Sequence, residues 1–193
     1  MDLLLATRNR HKTREFAELL GKEFQIVDLS AEKSSPIEET GKTFAENAIL
    51  KAVAASQLRQ AIVAADDSGL EVDALGGAPG IYSARYAGEK ATDAANVQKL
   101  LGELKSAAER SARFHCVIAL AQNGNLLGTF AGAMEGQIVD LPRGDGGFGY
   151  DPIFQPAGYS QTFAEMPPEL KNKISHRARA IEALRAALRE SKF

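Results

Sequence analysis

Cysteine is almost absent from this sequence of 193 residues, in which Cys116 is the only one. A single cysteine cannot form an intrachain disulfide, which fits a reducing compartment, and the apolar stretch around Cys116 places it in the core. The sequence also lacks a run of about 18 apolar residues, which a membrane helix would need. Its start, from Met1 to Ala6, is acidic and too short to be a signal peptide. We therefore expect a soluble cytoplasmic protein that does not bind membranes.

Long basic runs are absent as well, and the formal net charge is -2. Proteins that bind nucleic acid without specificity usually carry a basic surface, so this class is excluded and any phosphate binding must be local. The length and the apolar fraction of 45% are those of a globular chain with a sizeable core. We expect residues 1–193 to form a single domain made of two closely packed lobes.

Apolar periodicity predicts alternating strands and helices in the first half of the chain. Short apolar runs predict buried strands at residues 3–6, 24–27 and 61–65. Helical spacing predicts one helix that ends at Gly21, a second that begins at Thr43, a third from about Thr92 and a fourth over the tail from Ser175. These elements indicate strands connected by helices.

A different pattern begins at Arg113, where apolar and polar residues alternate. Asn123-Gly124 then predicts a hairpin turn into an extended stretch that reaches Phe130, and a third extended segment follows at residues 137–140. Together the two halves predict an α/β fold, a mixed central sheet with flanking helices, shaped as two lobes around a substrate cleft.

Two adjacent acids, Asp66 and Asp67, follow the apolar run at residues 61–65 and precede Ser68-Gly69. We expect the strand to end there, so that the acids point into the crevice where open α/β sheets bind ligands. Two carboxylates brought together favour a cation, and Mg²⁺ prefers a few carboxylates plus substrate phosphate oxygens. The alternative for an isolated pair is that these side chains cap the turn by bonding local amides.

Two other motifs have residues at the spacing of known nucleotide-binding patterns but lack the surrounding sequence that those patterns need. Thr40-Gly41-Lys42-Thr43 resembles the end of a P-loop, but Pro36 occupies the position of its first glycine, and Glu38 and Glu39 would repel phosphates. Gly144, Gly146 and Gly149 have the dinucleotide-binding spacing, yet no amphipathic helix follows them. We interpret these glycines as a loop that approaches a flat ligand, with the Phe148 ring available for stacking.

The polar residues at the ends of the predicted elements have the composition of a triphosphate site. Acids could hold a metal, cations and amides could bind phosphate, and a glycine-rich loop with an aromatic ring could bind a base. Each residue alone also has an ordinary explanation: Lys12 and Lys171 as solvated lysines, His176 as a helix cap and Phe148 as core. Only their combination indicates a triphosphate site: Thr7, Asn9, Lys12, Glu38, Glu39, Asp66, Asp67, Ser68, Phe148, Lys171, His176 and Arg177.

Six segments spread over almost the whole chain form one ordered pattern. They are Ala6-Thr7-Arg8-Asn9 with Lys12, Glu38-Glu39-Thr40-Gly41 with Thr43 to Ala48, Asp66 to Leu70, Gly76 to Tyr86, Gly147 to Pro152, and Ile174-Ser175-His176-Arg177. With these segments the sequence resembles, at near full length, the inosine/xanthosine triphosphate pyrophosphatases, which remove deaminated purines from the nucleotide pool. One visible departure is Arg8, where many members have glycine; it affects the local loop shape more than the activity.

This resemblance implies Mg²⁺-dependent hydrolysis of ITP, dITP and XTP to the monophosphate and pyrophosphate. It implies Asp67 as the general base and as a ligand of Mg²⁺. The spacing and the resemblance leave the second carboxylate on the metal open between Glu39 and Glu38, and we choose Glu39, with Glu38 as the alternative. A homodimer is also implied. The implied substrate contacts are Thr7, Arg8, Asn9, Arg10, His11, Lys12, Ser68, Phe148, Gly149, Tyr150, Asp151, Lys171, His176 and Arg177.

The expected chemistry agrees with these roles. A carboxylate beside Mg²⁺ can position and deprotonate the water that attacks the α-phosphorus, and Lys12 can offset charge on the departing pyrophosphate. Arg177 or protonated His176 could donate to the 6-oxygen of hypoxanthine or xanthine, which adenine lacks. Guanine also has that oxygen, and the sequence does not show how it is rejected. The alternatives are a non-catalytic purine triphosphate sensor and a pyrophosphatase of modified pyrimidine nucleotides.

Overall fold

A computed structural model describes residues 2–29, 37–59 and 61–190 of the chain. Over these ranges no helix is long and apolar enough to cross a membrane. Short 3-10 helices lie at Asp73–Leu75, Gly80–Arg85 and Asp151–Ile153. The described strands and α-helices are β1 (Asp2–Leu5), α1 (Arg10–Leu20), β2 (Gln25–Asp28), α2 (Phe44–Gln57), β3 (Val63–Val72), α3 (Asp93–Glu103), β4 (Ser111–Gln122), β5 (Asn125–Ile138), β6 (Phe154–Pro156), α4 (Pro168–Ile174) and α5 (His176–Arg189).

The described strands form one mixed sheet in the order β2-β1-β3-β4-β5-β6, which confirms the predicted α/β class. β1 pairs in parallel with β2 and with β3, and parallel neighbours need long connections, which α1 and α2 provide. β5 pairs with β6 in the antiparallel direction. Between β4 and β5, Asn123 and Gly124 have φ angles of 51° and 79°, as a type I′ turn requires, so the predicted hairpin is confirmed.

The chain divides into two compact units. The first comprises Met1–Asp67, Cys116–Gly132 and Arg177–Phe193, and the second comprises Ser68–His115 and Ala133–His176. That residues 1–193 act as one domain around a substrate cleft stays a prediction.

The first unit has apolar clusters on both faces of its strands. One cluster joins Leu5 and the fully buried Cys116 to apolar residues of α1 and α5. The other packs small side chains of α2, such as Ala48 and Ala52, against β3. Small residues on α2 therefore bring that helix close to the strand that carries the two acids.

The second unit has an aromatic core. The ring centroids of Phe114 and Phe154 lie 4.7 Å apart, and those of Phe154 and Phe163 lie 5.2 Å apart. Leu70 and Val72, at the end of β3, are fully buried in the same cluster. Contacts of this kind add stability beyond the area buried.

Several predicted boundaries are wrong. The third strand does not end at Asp67: β3 continues through Ser68 and Gly69, because Leu70 and Val72 have core positions to fill. The two extended segments predicted before and after Ala131 are one strand, β5, since its neighbours in the sheet keep that stretch extended although Gly132 and Ala133 give no apolar alternation. The sequence prediction also missed β6, which has only three residues, and α4.

Candidate active site

Asp66 and Asp67 lie on opposite faces of the sheet. Successive side chains of a strand alternate between its faces, and both residues are within β3. The pairing of Leu5 with Ala64 makes Asp66 and Asp67 the residues just beyond the end of β1. The two acids therefore lie at the carboxyl end of β1, the neighbouring strand, and not at the end of their own strand, β3. The expectation that a single cation joins them is corrected by this alternation.

Asp66 is paired with two cations. Its side chain is 1% exposed, and its Oδ2 lies 2.8 Å from Lys12 Nζ and 3.6 Å from Arg177 Nε. Burial alone would raise the pKa of Asp66, but the charges of Lys12, Arg177 and Lys51 outweigh it and lower the pKa to about 2. Asp66 is therefore a permanent anion that holds these cations, and it is unsuited to proton transfer near neutral pH.

Arg177 is buried between two carboxylates. Its Nη1 lies 2.5 Å from Glu15 Oε2, and its Nε faces Asp66. Burial opposes the charged guanidinium, but Glu15 and Asp66 outweigh that cost and raise the pKa of Arg177. The structure thus pairs Arg177 with residues of α1 and β3 in the first unit. Its predicted contact with the purine stays a prediction.

Asp67 lies on the other face, towards α2. Asn47 Nδ2 donates to Asp67 Oδ2 at 3.1 Å, and Lys51 Nζ lies 3.7 Å from Asp67 Oδ1 and 2.6 Å from Glu39 Oε1. Burial raises the pKa of Asp67 most, Glu39 adds to this, and Lys51 opposes it. A carboxylate with a raised pKa is a better proton acceptor than an ordinary one, so Asp67 has the properties that a general base requires.

Lys51 is the cation on which Asp67 and Glu39 converge. Burial disfavours its charge, but Asp67, Asp66 and Glu39 outweigh that cost and raise its pKa. No group of three or more His, Cys, Asp or Glu side chains is arranged to hold a metal in the described part of the chain. Two carboxylates around a positive charge fit Mg²⁺, which takes few protein ligands and completes its shell with water and phosphate. Glu38 is exposed, which favours Glu39 as the second ligand.

The loop between β1 and α1 is organised by Asn9. Its Oδ1 accepts hydrogen bonds from the backbone amides of His11 and Lys12 and so caps α1. The backbone amide of Asn9 donates to Thr7 Oγ1 at 3.2 Å. Arg10 is the first residue of the helix. The predicted phosphate contacts from Thr7 to Lys12 therefore lie in the loop before α1 and in its first turn, where the helix dipole favours anions.

Residues 144–151, which we call the glycine loop, lie in the second unit. Lys171, on α4, places its Nζ 2.6 Å from Asp151 Oδ2 and 4.9 Å from the centre of the Phe148 ring. Asp151 Oδ2 also accepts a hydrogen bond from the Phe148 amide at 2.9 Å. The structure therefore brings together three of the predicted substrate contacts, Phe148, Asp151 and Lys171, which lie in two separate segments of the sequence.

The other predicted contacts in the second unit are more dispersed. The His176 ring stacks on Phe114 with 4.7 Å between centroids. The hydroxyl of Tyr150 donates to the carbonyl of Ser83 at 2.9 Å, and burial raises its pKa. Ser68 is half-buried on β3. Tyr150 is thus a support for the glycine loop, through its side chain.

The sequence prediction missed Glu15, Asn47 and Lys51. For Asn47 and Lys51 the only signal in the sequence was their spacing, because they are four residues apart and share a face of α2 beside its small apolar residues. Glu15 gave no signal, because its partner Arg177 is 162 positions away. We call the seven paired residues of the first unit the charge cluster: Lys12, Glu15, Glu39, Lys51, Asp66, Asp67 and Arg177.

Comparisons with known proteins agree on one family. The sequence model of the Ham1 family matches residues 3–187. A dITP/XTP pyrophosphatase of Geobacillus kaustophilus is 50% identical over 187 residues, which cover 95% of this chain and 92% of that protein. One of Bacillus subtilis is 48% identical, covering 95% and 94%. The Ham1 protein structure of Staphylococcus aureus has a TM-score of 0.90 at 42% identity and covers all of both chains. A HAM1 protein structure of Coxiella burnetii also has a TM-score of 0.90, at 45% identity, covering 99% and 100%.

Proposed function

Because the chain belongs to the Ham1 family, we propose that it is a nucleoside triphosphate pyrophosphatase that removes deaminated purine nucleotides from the pool. Its proposed substrates are ITP, dITP and XTP, which it hydrolyses between the α- and β-phosphates to a monophosphate and pyrophosphate. The observation that carries this proposal is the convergence of Asp67 and Glu39 on Lys51 in a chain half identical to dITP/XTP pyrophosphatases.

Asp67 is the proposed general base. It accepts the proton of the attacking water, a role supported by the raised pKa that burial gives it. Asn47 donates to one oxygen of the carboxylate and so fixes its orientation. Asp66, with its pKa of about 2, stays ionised throughout and keeps Lys12 and Arg177 in place.

Mg²⁺ is the proposed cofactor, held by Glu39 and Asp67. When bound, it would lower the pKa of a coordinated water and neutralise phosphate charge. Lys12, Lys51 and the first turn of α1 supply further positive potential for a triphosphate. Since Lys51 already lies between the two carboxylates, their charge is balanced in the protein itself, which limits the cost of burying them.

The glycine loop, His176 and Arg177 are proposed to select the base. The Phe148 ring offers a face for stacking, with Lys171 and Asp151 fixing its surroundings. Arg177 or protonated His176 is the proposed donor to the 6-oxygen of hypoxanthine and xanthine. We further propose a homodimer, on the family resemblance alone, and a cytoplasmic location, on the single cysteine and the lack of long apolar runs.

The test is a substrate panel in the presence of Mg²⁺. Purified protein is incubated with ITP, XTP, dITP, GTP, ATP and a modified pyrimidine triphosphate, and phosphate is measured with and without added inorganic pyrophosphatase. We expect signal from ITP, dITP and XTP only when the added enzyme is present. In ¹⁸O-labelled water the label should enter the monophosphate, because the water attacks the α-phosphorus.

Two variants calibrate this assay. Asp67→Asn should abolish most of the turnover, while Glu182→Gln, a change at an exposed carboxylate of α5, should leave it unchanged. Orthophosphate released directly from ITP, or binding of ITP without hydrolysis by the wild type, would contradict the proposal. Hydrolysis of the modified pyrimidine triphosphate alone would instead indicate a pyrophosphatase of modified pyrimidine nucleotides.

A further inference from the structure

Three consecutive residues of the glycine loop are each held by a hydrogen bond to a different group. The Phe148 amide donates to Asp151 Oδ2 at 2.9 Å, the Gly149 amide donates to Asp93 Oδ2 at 2.6 Å, and the Tyr150 hydroxyl donates to the Ser83 carbonyl at 2.9 Å. Asp151 belongs to the loop itself, and Ser83 contributes only its backbone. The Asp93 contact therefore comes from a side chain that is distant in sequence and has no role so far.

Asp93 is well placed to act as a fixed acceptor. It is the first residue of α3, whose N-cap Thr92 accepts a hydrogen bond from the Ala95 amide. A carboxylate in the first turn of a helix is favoured by the helix dipole. Hydrogen bonds to an ionised acceptor are shorter and stronger than neutral ones, which agrees with the 2.6 Å distance.

The bond from Gly149 controls the peptide unit that joins it to Phe148. Gly149 has a φ of 63°, and a side chain at this position would meet no atom within 4 Å. Glycine is therefore needed here because it adopts a positive φ easily, although the site has room for a side chain. Fixing the Gly149 amide fixes the plane of this peptide, and with it the direction in which the Cα of Phe148 presents its ring.

We propose that Asp93 is a positioning residue that holds the Phe148-Gly149 peptide and so orients the Phe148 ring towards the purine base. This inference rests on the proposed function, since it assumes that Phe148 meets the base. Asp93 touches neither the substrate nor the metal. Its loss should weaken binding of the base and leave the phosphate chemistry unchanged.

Asp93→Ala and Asp93→Asn test this role, with Gln98→Ala at an exposed position of the same helix as the matched control. We expect Asp93→Ala to raise KM for ITP about tenfold, as the loss of one charge-assisted bond would, with kcat within about twofold of the wild type. Asp93→Asn keeps an acceptor oxygen but loses the charge. It should stay within about threefold of the wild-type KM.

Binding measurements separate the base from the phosphates. By calorimetry, Asp93→Ala should weaken binding of inosine monophosphate about tenfold and leave binding of pyrophosphate unchanged. An unchanged KM, an Asn variant as impaired as the Ala variant, or equal losses for both ligands would overturn the role of Asp93 while the activity of the wild type stands. A wild type that neither hydrolyses ITP nor binds inosine monophosphate would overturn the proposed function, and this inference with it.

Discussion

The charge cluster and the glycine loop hold their residues in place by different means. In the charge cluster, buried and half-buried side chains of opposite sign contact one another, as Lys12 and Asp66 do at 2.8 Å. In the glycine loop, backbone amides donate to carboxylates, and the conformation depends on glycines with positive φ such as Gly147. The first arrangement is fixed by charge, whereas the second, apart from the ion pair of Asp151 with Lys171, is fixed by backbone geometry.

This difference predicts different consequences of mutation. Removing one member of a buried ion pair leaves its partner charged and desolvated, which costs about 3–5 kcal/mol. Apart from Asp151, which pairs with Lys171, changing one residue of the glycine loop costs only a backbone strain or one hydrogen bond, about 1–2 kcal/mol each. Variants of the charge cluster should therefore change turnover or stability strongly, and variants of the loop should mainly change the binding of the base.

The largest effect is expected from Asp67→Asn. An amide keeps the shape of the side chain but cannot accept the proton, so kcat for ITP should fall by about 10²–10⁴-fold with a small change in KM. Since burial raises the pKa of Asp67 in the folded protein, this group stabilises the fold below its unfolded pKa, and that stability is lost as the pH rises through the folded value. Glu39 still pairs with Lys51 in the neutral variant, so this variant should unfold at the same or a higher temperature than the wild type at pH 7, as calorimetry can measure. Near wild-type kcat at saturating Mg²⁺ would remove Asp67 from the role of base.

Asp66→Asn should lose stability instead. Lys12 and Arg177 would both lose a charged partner, and we expect the free energy of unfolding at pH 7 to fall by about 3 kcal/mol, as urea denaturation would show. The pKa of Asp66 is about 2 in the folded protein against 3.8 ordinarily, so its stabilisation is present above pH 3.8 and is lost as the pH falls towards 2. The wild type should lose about 2 kcal/mol from this group over that interval, and the variant should not. Equal pH dependence of the two proteins would contradict the pairing.

The helices and strands with a clear periodicity of apolar residues were predictable from the sequence, but their exact lengths were not. Thr43 does cap α2 and Gly21 does follow α1, because capping chemistry is local. β3 runs on past Asp67 because Leu70 and Val72 fill a core made by residues far along the chain. The sequence offers a Ser-Gly pair at that point, which resembles a turn, and tertiary packing overrides it.

The candidate site was predictable as a set of residue types, and its pairings were not. Adjacent acids suggest a shared cation, but the alternation of a strand sends Asp66 to α1 and α5 and Asp67 to α2. Which acid can accept a proton depends on Lys12 and Lys51, whose positions only the fold determines. The contact of Asp93 could not be predicted either, because only the fold brings it to its partner Gly149, which lies 56 positions away.

Gly147→Ala tests the loop side of the comparison. Gly147 has a φ of 72°, and a Cβ there would overlap the Asp151 carboxylate, which holds Lys171. The variant combines backbone strain with this overlap, so we expect a loss of about 2 kcal/mol in the free energy of unfolding and a higher KM for ITP. Gly149→Ala is the matched control: it has a similar φ but open space, and it should lose only about 1 kcal/mol. Equal losses would show that the overlap with Asp151 is unimportant.

The smallest effect is a change in substrate selectivity, and it concerns Arg177, a member of the charge cluster that is also proposed to contact the base. Arg177→Ala should slow hydrolysis of both ITP and ATP, because Asp66 loses one of its cations. If the guanidinium also donates to the 6-oxygen, the ITP-to-ATP ratio of kcat/KM should fall a further tenfold or so, about 1.4 kcal/mol for one lost bond. Glu15→Gln is the control, since it removes the partner at Nη1 but keeps the guanidinium, and it should leave the ratio unchanged. An equal fall for both substrates in Arg177→Ala would confine Arg177 to the charge cluster and leave His176 or the glycine loop to distinguish hypoxanthine from adenine.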